Sequence, residues 1–167
     1  MGHIPVFGIV GYSGSGKTVL IEKLLGEFRR LGLRAGVIKH DAHGLTLDWE
    51  GKDSWRFTQA GAAVTAVVSA SQTMIVESRS LSPEELAERV QGVDLILAEG
   101  FKDAPWPKLL VCRGEAGEIL PIPLSDCAAV AADGPEIFPP PRFRRDDAEA
   151  IAAFIAKQTG AERRKSL

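Results

Sequence analysis

Residues 11–18 read Gly11-Tyr12-Ser13-Gly14-Ser15-Gly16-Lys17-Thr18, set between the apolar run Val6-Phe7-Gly8-Ile9-Val10 and a stretch of helical periodicity. Every fixed position of the pattern G-x-x-x-x-G-K-[ST] is filled. The order strand, glycine-rich turn, helix has a physical basis. A polyphosphate needs several backbone N–H donors aimed into one concavity, and glycine lets the chain bend that tightly without Cβ clashes. The helix that follows turns its positive end towards the anion. Lys17 is placed to reach the β and γ phosphates, and the Thr18 hydroxyl to ligate Mg2+. All eight residues, Gly11, Tyr12, Ser13, Gly14, Ser15, Gly16, Lys17 and Thr18, are therefore candidate nucleotide-binding positions.

Working outward, the unbroken apolar run at 6–10 predicts a strand covered on both faces, as in a parallel sheet. Residues 18–31 carry Val19, Leu20, Leu24, Leu25, Phe28 and Leu31 at helical spacing, with Gly32 as the stop. Residues 35–39 predict a second strand, which completes a right-handed βαβ unit. Residues 42–52 read as a polar loop and 53–59 as a short helix. Two β-rich pieces, 62–69 and 72–77, form a hairpin candidate. Ser82-Pro83-Glu84-Glu85 predicts a capped helix running to about residue 91. Residues 93–98, 109–112 and 128–132 predict further strands. Residues 135–141 hold four prolines and read as an extended connector. Asp146 to Glu149 resembles a second capping box, opening a helix through residue 157. The expected fold is α/β: a three-layer sandwich like that of P-loop NTPases, with a mostly parallel sheet, helices on both faces and a small β-hairpin extension.

Length and composition agree with that. At 167 residues, with 45% apolar and 25% charged residues, the chain is expected to form one domain, 1–167, with the hairpin at 62–77 as an extension and 161–167 as a frayed tail. A formal charge of −2 gives no global field for nucleic acid. No stretch reaches the roughly 18 apolar residues of a membrane-spanning helix. The first residues lack the basic and apolar regions of a signal peptide, and the two cysteines, Cys112 and Cys127, are expected to be reduced and buried. The expected location is the cytoplasm.

The second half of a phosphate site is an acid at the end of a buried strand. Leu95-Ile96-Leu97-Ala98-Glu99-Gly100 supplies Glu99, expected to hold Mg2+ through a water. Asp94, at the other end of that strand, is expected at the surface. Lys39-His40-Asp41 follows the second strand, so this loop should face the γ-phosphate. There Lys39 could neutralise phosphate charge, and Asp48 could orient a water or support Mg2+ from its outer shell. His40 and His43 have the spacing of a metal pair but no evident further ligand. Trp49, Trp55 and Trp106 are expected to pack or to touch a second subunit. Arg142, Arg144 and Arg145 read as a solvated basic face, with an anionic ligand as the alternative.

The set Gly11–Thr18, Val37-Ile38-Lys39-His40-Asp41, Asp48, Gly51-Lys52-Asp53-Ser54, Arg56, Ala60-Gly61-Ala62, Glu99-Gly100-Phe101-Lys102 and Pro107-Lys108 resembles the molybdopterin-guanine dinucleotide biosynthesis protein B family, known as MobB. The resemblance spans roughly residues 4–112. It implies binding of GTP with Mg2+ and weak hydrolysis. It further implies an adapter working beside the guanylyltransferase that joins GMP to molybdenum-bound molybdopterin, serving molybdoenzymes, and a homodimer to which the hairpin contributes. Guanine preference comes from the resemblance. The N-K-x-D base-reading motif cannot exist, because the chain has no asparagine. Asp133 stands where a base-contacting acid could lie. Lys17 is assigned to the phosphates, Thr18 and Glu99 to the metal, and Asp48 to the attacking water.

Two other readings compete. A small-molecule kinase would need an acceptor pocket and an arginine-bearing lid, for which residues 142–145 are the candidate. A GTP-dependent metal-insertion chaperone would need a Cys-Pro-x-Cys or His-rich site, which the sequence lacks.

Overall fold

The computed structural model describes residues 3–41, 44, 49–113, 121–134 and 141–161. The elements are β1 (Val6–Val10), α1 (Lys17–Arg30), β2 (Ala35–Lys39), α2 (Asp53–Gln59), β3 (Val64–Val68), β4 (Thr73–Glu77), α3 (Pro83–Arg89), β5 (Leu95–Glu99), β6 (Lys108–Val111), β7 (Ala129–Ala131), β8 (Arg142–Phe143) and α4 (Ala148–Thr159). The predicted 135–141 connector, apart from Pro141, and the tail from 162 onward lie outside the described residues.

Six strands form one sheet in the order β2-β5-β1-β6-β7-β8. Every pairing in it is parallel. β1, β5 and β6 are buried along their whole length, which explains their unbroken apolar runs. Alternate residues serve opposite faces. Phe7, Ile9, Leu95, Leu97 and Leu109 meet Leu24 and Phe28 of α1 and Ile151 and Ile155 of α4. Val6, Ile38, Ile96 and Ala98 meet Ala87 of α3 on the other side. Each fully buried Leu, Ile or Phe among them contributes about 1.5–3 kcal/mol. The result is the three-layer sandwich expected from the sequence.

Ends are capped as the local chemistry dictates. α1 closes in a Schellman motif, with Leu33 N–H donating to Phe28 carbonyl at 2.8 Å and Gly32 N–H to Arg29 carbonyl at 2.9 Å. α4 is capped by Asp147, which accepts from Ala150 N–H at 3.1 Å. Sequence spacing pointed to Asp146, but the helix begins at Ala148, so Asp147 has the three-residue reach. Asp146 binds Arg144 at 3.0 and 3.1 Å.

β8 was not predicted. Its two residues pair with β7 through Val130 N–H to Pro141 carbonyl and Ala132 N–H to Phe143 carbonyl, both at 3.0 Å. Phe143 also packs on Phe154 of α4, with ring centroids 5.3 Å apart.

Contacts divide the chain into two compact units: residues 1–40 with 83–167, and residues 41–82. The second unit holds α2 and the antiparallel pair β3–β4. The Thr58 and Thr65 hydroxyls hydrogen-bond at 3.0 Å and tie the helix to the hairpin. In the pairing register, Val64, Ala66, Val68 and Ile75 share one hairpin face, and all four are exposed.

Candidate functional site

The turn from β1 into α1 is shaped by close approach. A Cβ at Gly11 would lie 2.3 Å from the Val111 carbonyl oxygen and 2.7 Å from Ser15 Oγ, so only glycine fits between β6 and the loop. Gly16, the residue before α1, has φ +96°, the left-handed region that favours glycine. Among the described residues no side chain caps α1 at its start, and no acid stands in its first turn. The helix therefore presents uncapped amides with its positive dipole end, next to exposed Tyr12, Ser13 and Gly14.

Lys17 folds back over this turn, its Nζ donating to the Tyr12 carbonyl at 2.7 Å. Burial pushes its ammonium below the ordinary lysine value; Glu99 opposes the shift, and Lys102 and Lys39 add to it. The lysine is thus a partly desolvated cation among like charges, a state that a polyanion relieves.

β5 runs beside β1, with Ile9 opposite Glu99, so the acid ends next to the loop. Glu99 is the last residue of the strand and is buried. Its Oε1 accepts from Thr18 Oγ1 at 3.3 Å. Mg2+ typically takes one or two protein oxygens and leaves the remaining positions to phosphate and water. The adjacent hydroxyl and carboxylate fit that requirement. Lys39 stands opposite Glu99 on the neighbouring strand. His40 follows it, donating its N–H to the Glu99 carbonyl at 3.0 Å and laying its ring 5.6 Å from Phe101. Asp94 does not simply face solvent: it accepts from Arg34 N–H at 2.6 Å and fixes the entry to β2.

The largest departure from expectation concerns Arg145. It is not a solvated arginine. Its Nη1 donates to the Ser15 carbonyl at 2.9 Å, and its Nε donates to Asp133 Oδ2 at 2.6 Å. β8 brings it there by pairing with β7, which ends just before Asp133. The Arg145 hydrogen bond holds the Asp133 carboxyl below the usual carboxylate range, against a smaller opposing effect of burial. Arg142 has a structural role, donating to the Gly134 carbonyl. Beside this pair lies a cavity of about 330 Å3, walled by Gly16, Val19, Leu20, Lys23, Asp133 and Arg145. That volume falls within the roughly 300–1,000 Å3 of small-molecule sites. Ser15 also lines it, and among the described residues its buried Oγ has no hydrogen-bond partner. No local sequence signal marked Arg145, which lies two residues past a strand too short to announce itself.

Lys102 closes the Glu99-Gly100-Phe101-Lys102 stretch. Its ammonium lies over the Tyr12 ring, 5.5 Å from the centroid. Asp48 and His43 lie outside the described residues. In the second unit, Gly51-Lys52-Asp53-Ser54 borders an open cavity of about 540 Å3 with Phe57 and Thr65. Trp49 there is 78% exposed, whereas Trp106 packs edge-on against Phe101 at 5.6 Å. Neither cysteine is in a disulfide; Cys112 is buried and Cys127 only partly so. Among the described residues, no helix is long and apolar enough to cross a membrane.

The profile of a family described as molybdopterin guanine dinucleotide synthesis protein B matches residues 6–133. The chain is 42% identical over 123 residues to the molybdopterin-guanine dinucleotide biosynthesis adapter protein of Haemophilus influenzae, covering 71% of this chain and 69% of that one. It is 35% identical over 162 residues to the protein of the same name in Escherichia coli, covering 92% and 93%. The crystal structure of Bacillus subtilis MobB resembles this fold with a TM-score of 0.74 at 32% identity, covering 93% of this chain and 98% of that one.

Proposed function

The chain belongs to the molybdopterin guanine dinucleotide synthesis protein B family, and from that premise we propose that it is a GTP-binding adapter in the attachment of GMP to molybdopterin. The observation that carries the reading is the meeting of Lys17, Thr18 and Glu99 around an uncapped helix start at the carboxyl ends of β1 and β5.

In this reading the backbone amides of 11–18 hold the phosphates, and Lys17 leaves the Tyr12 carbonyl to neutralise the β and γ oxygens. Bound Mg2+ supplies further charge neutralisation. Thr18 and Glu99 would hold it, while Lys39 adds positive charge beside them. Asp48 is assigned to orienting the attacking water. The nucleoside occupies the 330 Å3 cavity, where Asp133 is the acceptor for the base. Guanine offers a carboxylate two donors on its pairing edge, N1–H and the 2-amino group. Adenine presents a lone pair at N1, so the same acid disfavours it.

Arg145 is engaged with Asp133 and the Ser15 carbonyl instead of swinging free at the phosphate end. That favours slow hydrolysis and an adapter role over a kinase with a mobile arginine lid. The partners in this reading are the guanylyltransferase, its molybdopterin substrate and the receiving molybdoenzymes, in the cytoplasm. The exposed apolar hairpin face of Val64, Val68 and Ile75 supports a homodimer. The test is calorimetric titration with GTP and ATP, together with γ-phosphate release. Tight, Mg2+-dependent GTP binding with little turnover is expected. Fast transfer to a small-molecule acceptor would favour the kinase instead.

A further inference from the structure

The backbone that follows Glu99 aims a lysine at the phosphate loop. Gly100 N–H donates to the Ile9 carbonyl at 3.1 Å, which pins the start of the turn to β1. Lys102 N–H donates to the Gly100 carbonyl at 2.8 Å, a tight three-residue turn with Phe101 at its centre. Phe101 is buried between the His40 ring and Trp106, each 5.6 Å away, so the turn is anchored from below. The Lys102 side chain then crosses the loop and rests its ammonium on the Tyr12 ring.

Two cations thus share one residue. Lys17 sits on the Tyr12 carbonyl, and Lys102 sits on the Tyr12 ring. Lys39 stands opposite Glu99 at the same edge of the sheet. The Lys17 ammonium is repelled by those of Lys102 and Lys39 and attracted by the Glu99 carboxylate, and among the described residues Lys102 has no hydrogen-bond or ion-pair partner for its ammonium. A cation on a ring that is 46% exposed is held weakly. A charge-assisted hydrogen bond to a phosphate oxygen is favoured over such a contact by about ten-fold.

We propose that Lys102 reads the terminal phosphate: with a nucleoside triphosphate in the loop its ammonium leaves the Tyr12 ring for a γ-phosphate oxygen, and with a diphosphate it stays on the ring. This rests on the nucleotide-binding reading above and adds a residue that discriminates the two nucleotide states. Lys102 is then the in-cis positive charge at the end of the polyphosphate that Arg145 does not provide.

The chain has a single tyrosine, so 13C-labelled tyrosine reports on Tyr12 alone. Labelled full-length protein is titrated with GDP and with a non-hydrolysable GTP analogue, each with Mg2+. Calorimetry follows on the wild type, Lys102→Ala, Lys102→Gln and Lys102→Arg, with melting curves as a check on folding. The analogue, but not GDP, is expected to move the ring resonance, and K102Q is expected to move it in the absence of nucleotide. K102A and K102Q are expected to weaken the analogue by about ten-fold or more and GDP by less than about two-fold, with K102R restoring the difference. Equal losses for both nucleotides, no loss for either, or a ring shift that GDP produces as fully as the analogue overturns the proposal. A wild type that binds neither nucleotide overturns the nucleotide reading itself, a result distinct from any of these.

Discussion

Replacing Lys17 by methionine separates ligand binding from folding in one variant. In the free protein, among the described residues, the Lys17 ammonium makes one hydrogen bond, to the Tyr12 carbonyl. Losing it costs about 0.5–1.5 kcal/mol. The same change removes a cation that burial disfavours and that Lys102 and Lys39 repel, while methionine keeps the packing of the stem. The two effects oppose each other, so the free variant should unfold within about 1 kcal/mol of the wild type. For the bound state the terms do not cancel. Two charge-assisted bonds to phosphate, at about 1.5–3 kcal/mol each, give a loss of about 3–6 kcal/mol, or more than a hundred-fold in affinity. Thermal melts display both at once. At a hundred-fold excess over Kd the ligand adds about 2.7 kcal/mol, which raises Tm by about 5–10 °C for a chain of this size. The wild type should show that rise with Mg2+ and GTP, and Lys17→Met should show none while starting from nearly the same Tm. A variant that melts well below the wild type yet keeps the full ligand-induced rise would mean that Lys17 serves the fold, and the phosphate assignment would be wrong.

Gly11→Ala should destabilise the protein by about 1–3 kcal/mol, towards the upper end because the atom met at 2.3 Å is backbone; urea unfolding measures it. Glu99→Gln keeps an acceptor for Thr18 but loses the charge, so half-saturation by Mg2+ should rise about ten-fold or more. In EDTA its nucleotide affinity should be unchanged or higher, because a negative charge beside the phosphates has gone; a drop in EDTA would place Glu99 outside the metal site. Asp133→Asn tests acid stability. The folded carboxyl titrates below its unfolded value, so its contribution is complete above the unfolded value of about 3.9 and disappears as pH falls through the lower folded value. The stability gap between wild type and variant should therefore be open at pH 5–7 and should close in acid; a gap that widens as the pH drops contradicts the pairing with Arg145.

What the sequence revealed followed from how strongly each segment is constrained. Val6–Val10 and Leu95–Glu99 are buried along their length, so their apolar runs announced strands. The 53–59 helix and the Gly32 stop followed from local chemistry, and Glu99 from its place at the end of a buried run. β8 carried no such signal. Its two residues are only partly buried and are held by backbone pairing with β7, which any side chain allows. Arg145 stayed hidden for the same reason, since its partners Ser15 and Asp133 are distant in sequence and only the sheet order brings them together. The cation on Tyr12 was equally silent, because it depends on a backbone turn around Phe101 that spacing alone does not encode.

The tether between Arg145 and Ser15 spans 130 positions along the chain. During synthesis the glycine-rich cradle is made first, and the arginine that tethers it follows 130 residues later. A nascent or truncated chain ending before residue 141 holds the entire glycine-rich segment and still has no guanidinium on the Ser15 carbonyl and no counter-ion on Asp133. This wall of the cavity is therefore assembled only once residue 145 has been made, and a chain cut short of it lacks the wall beside the glycine-rich turn.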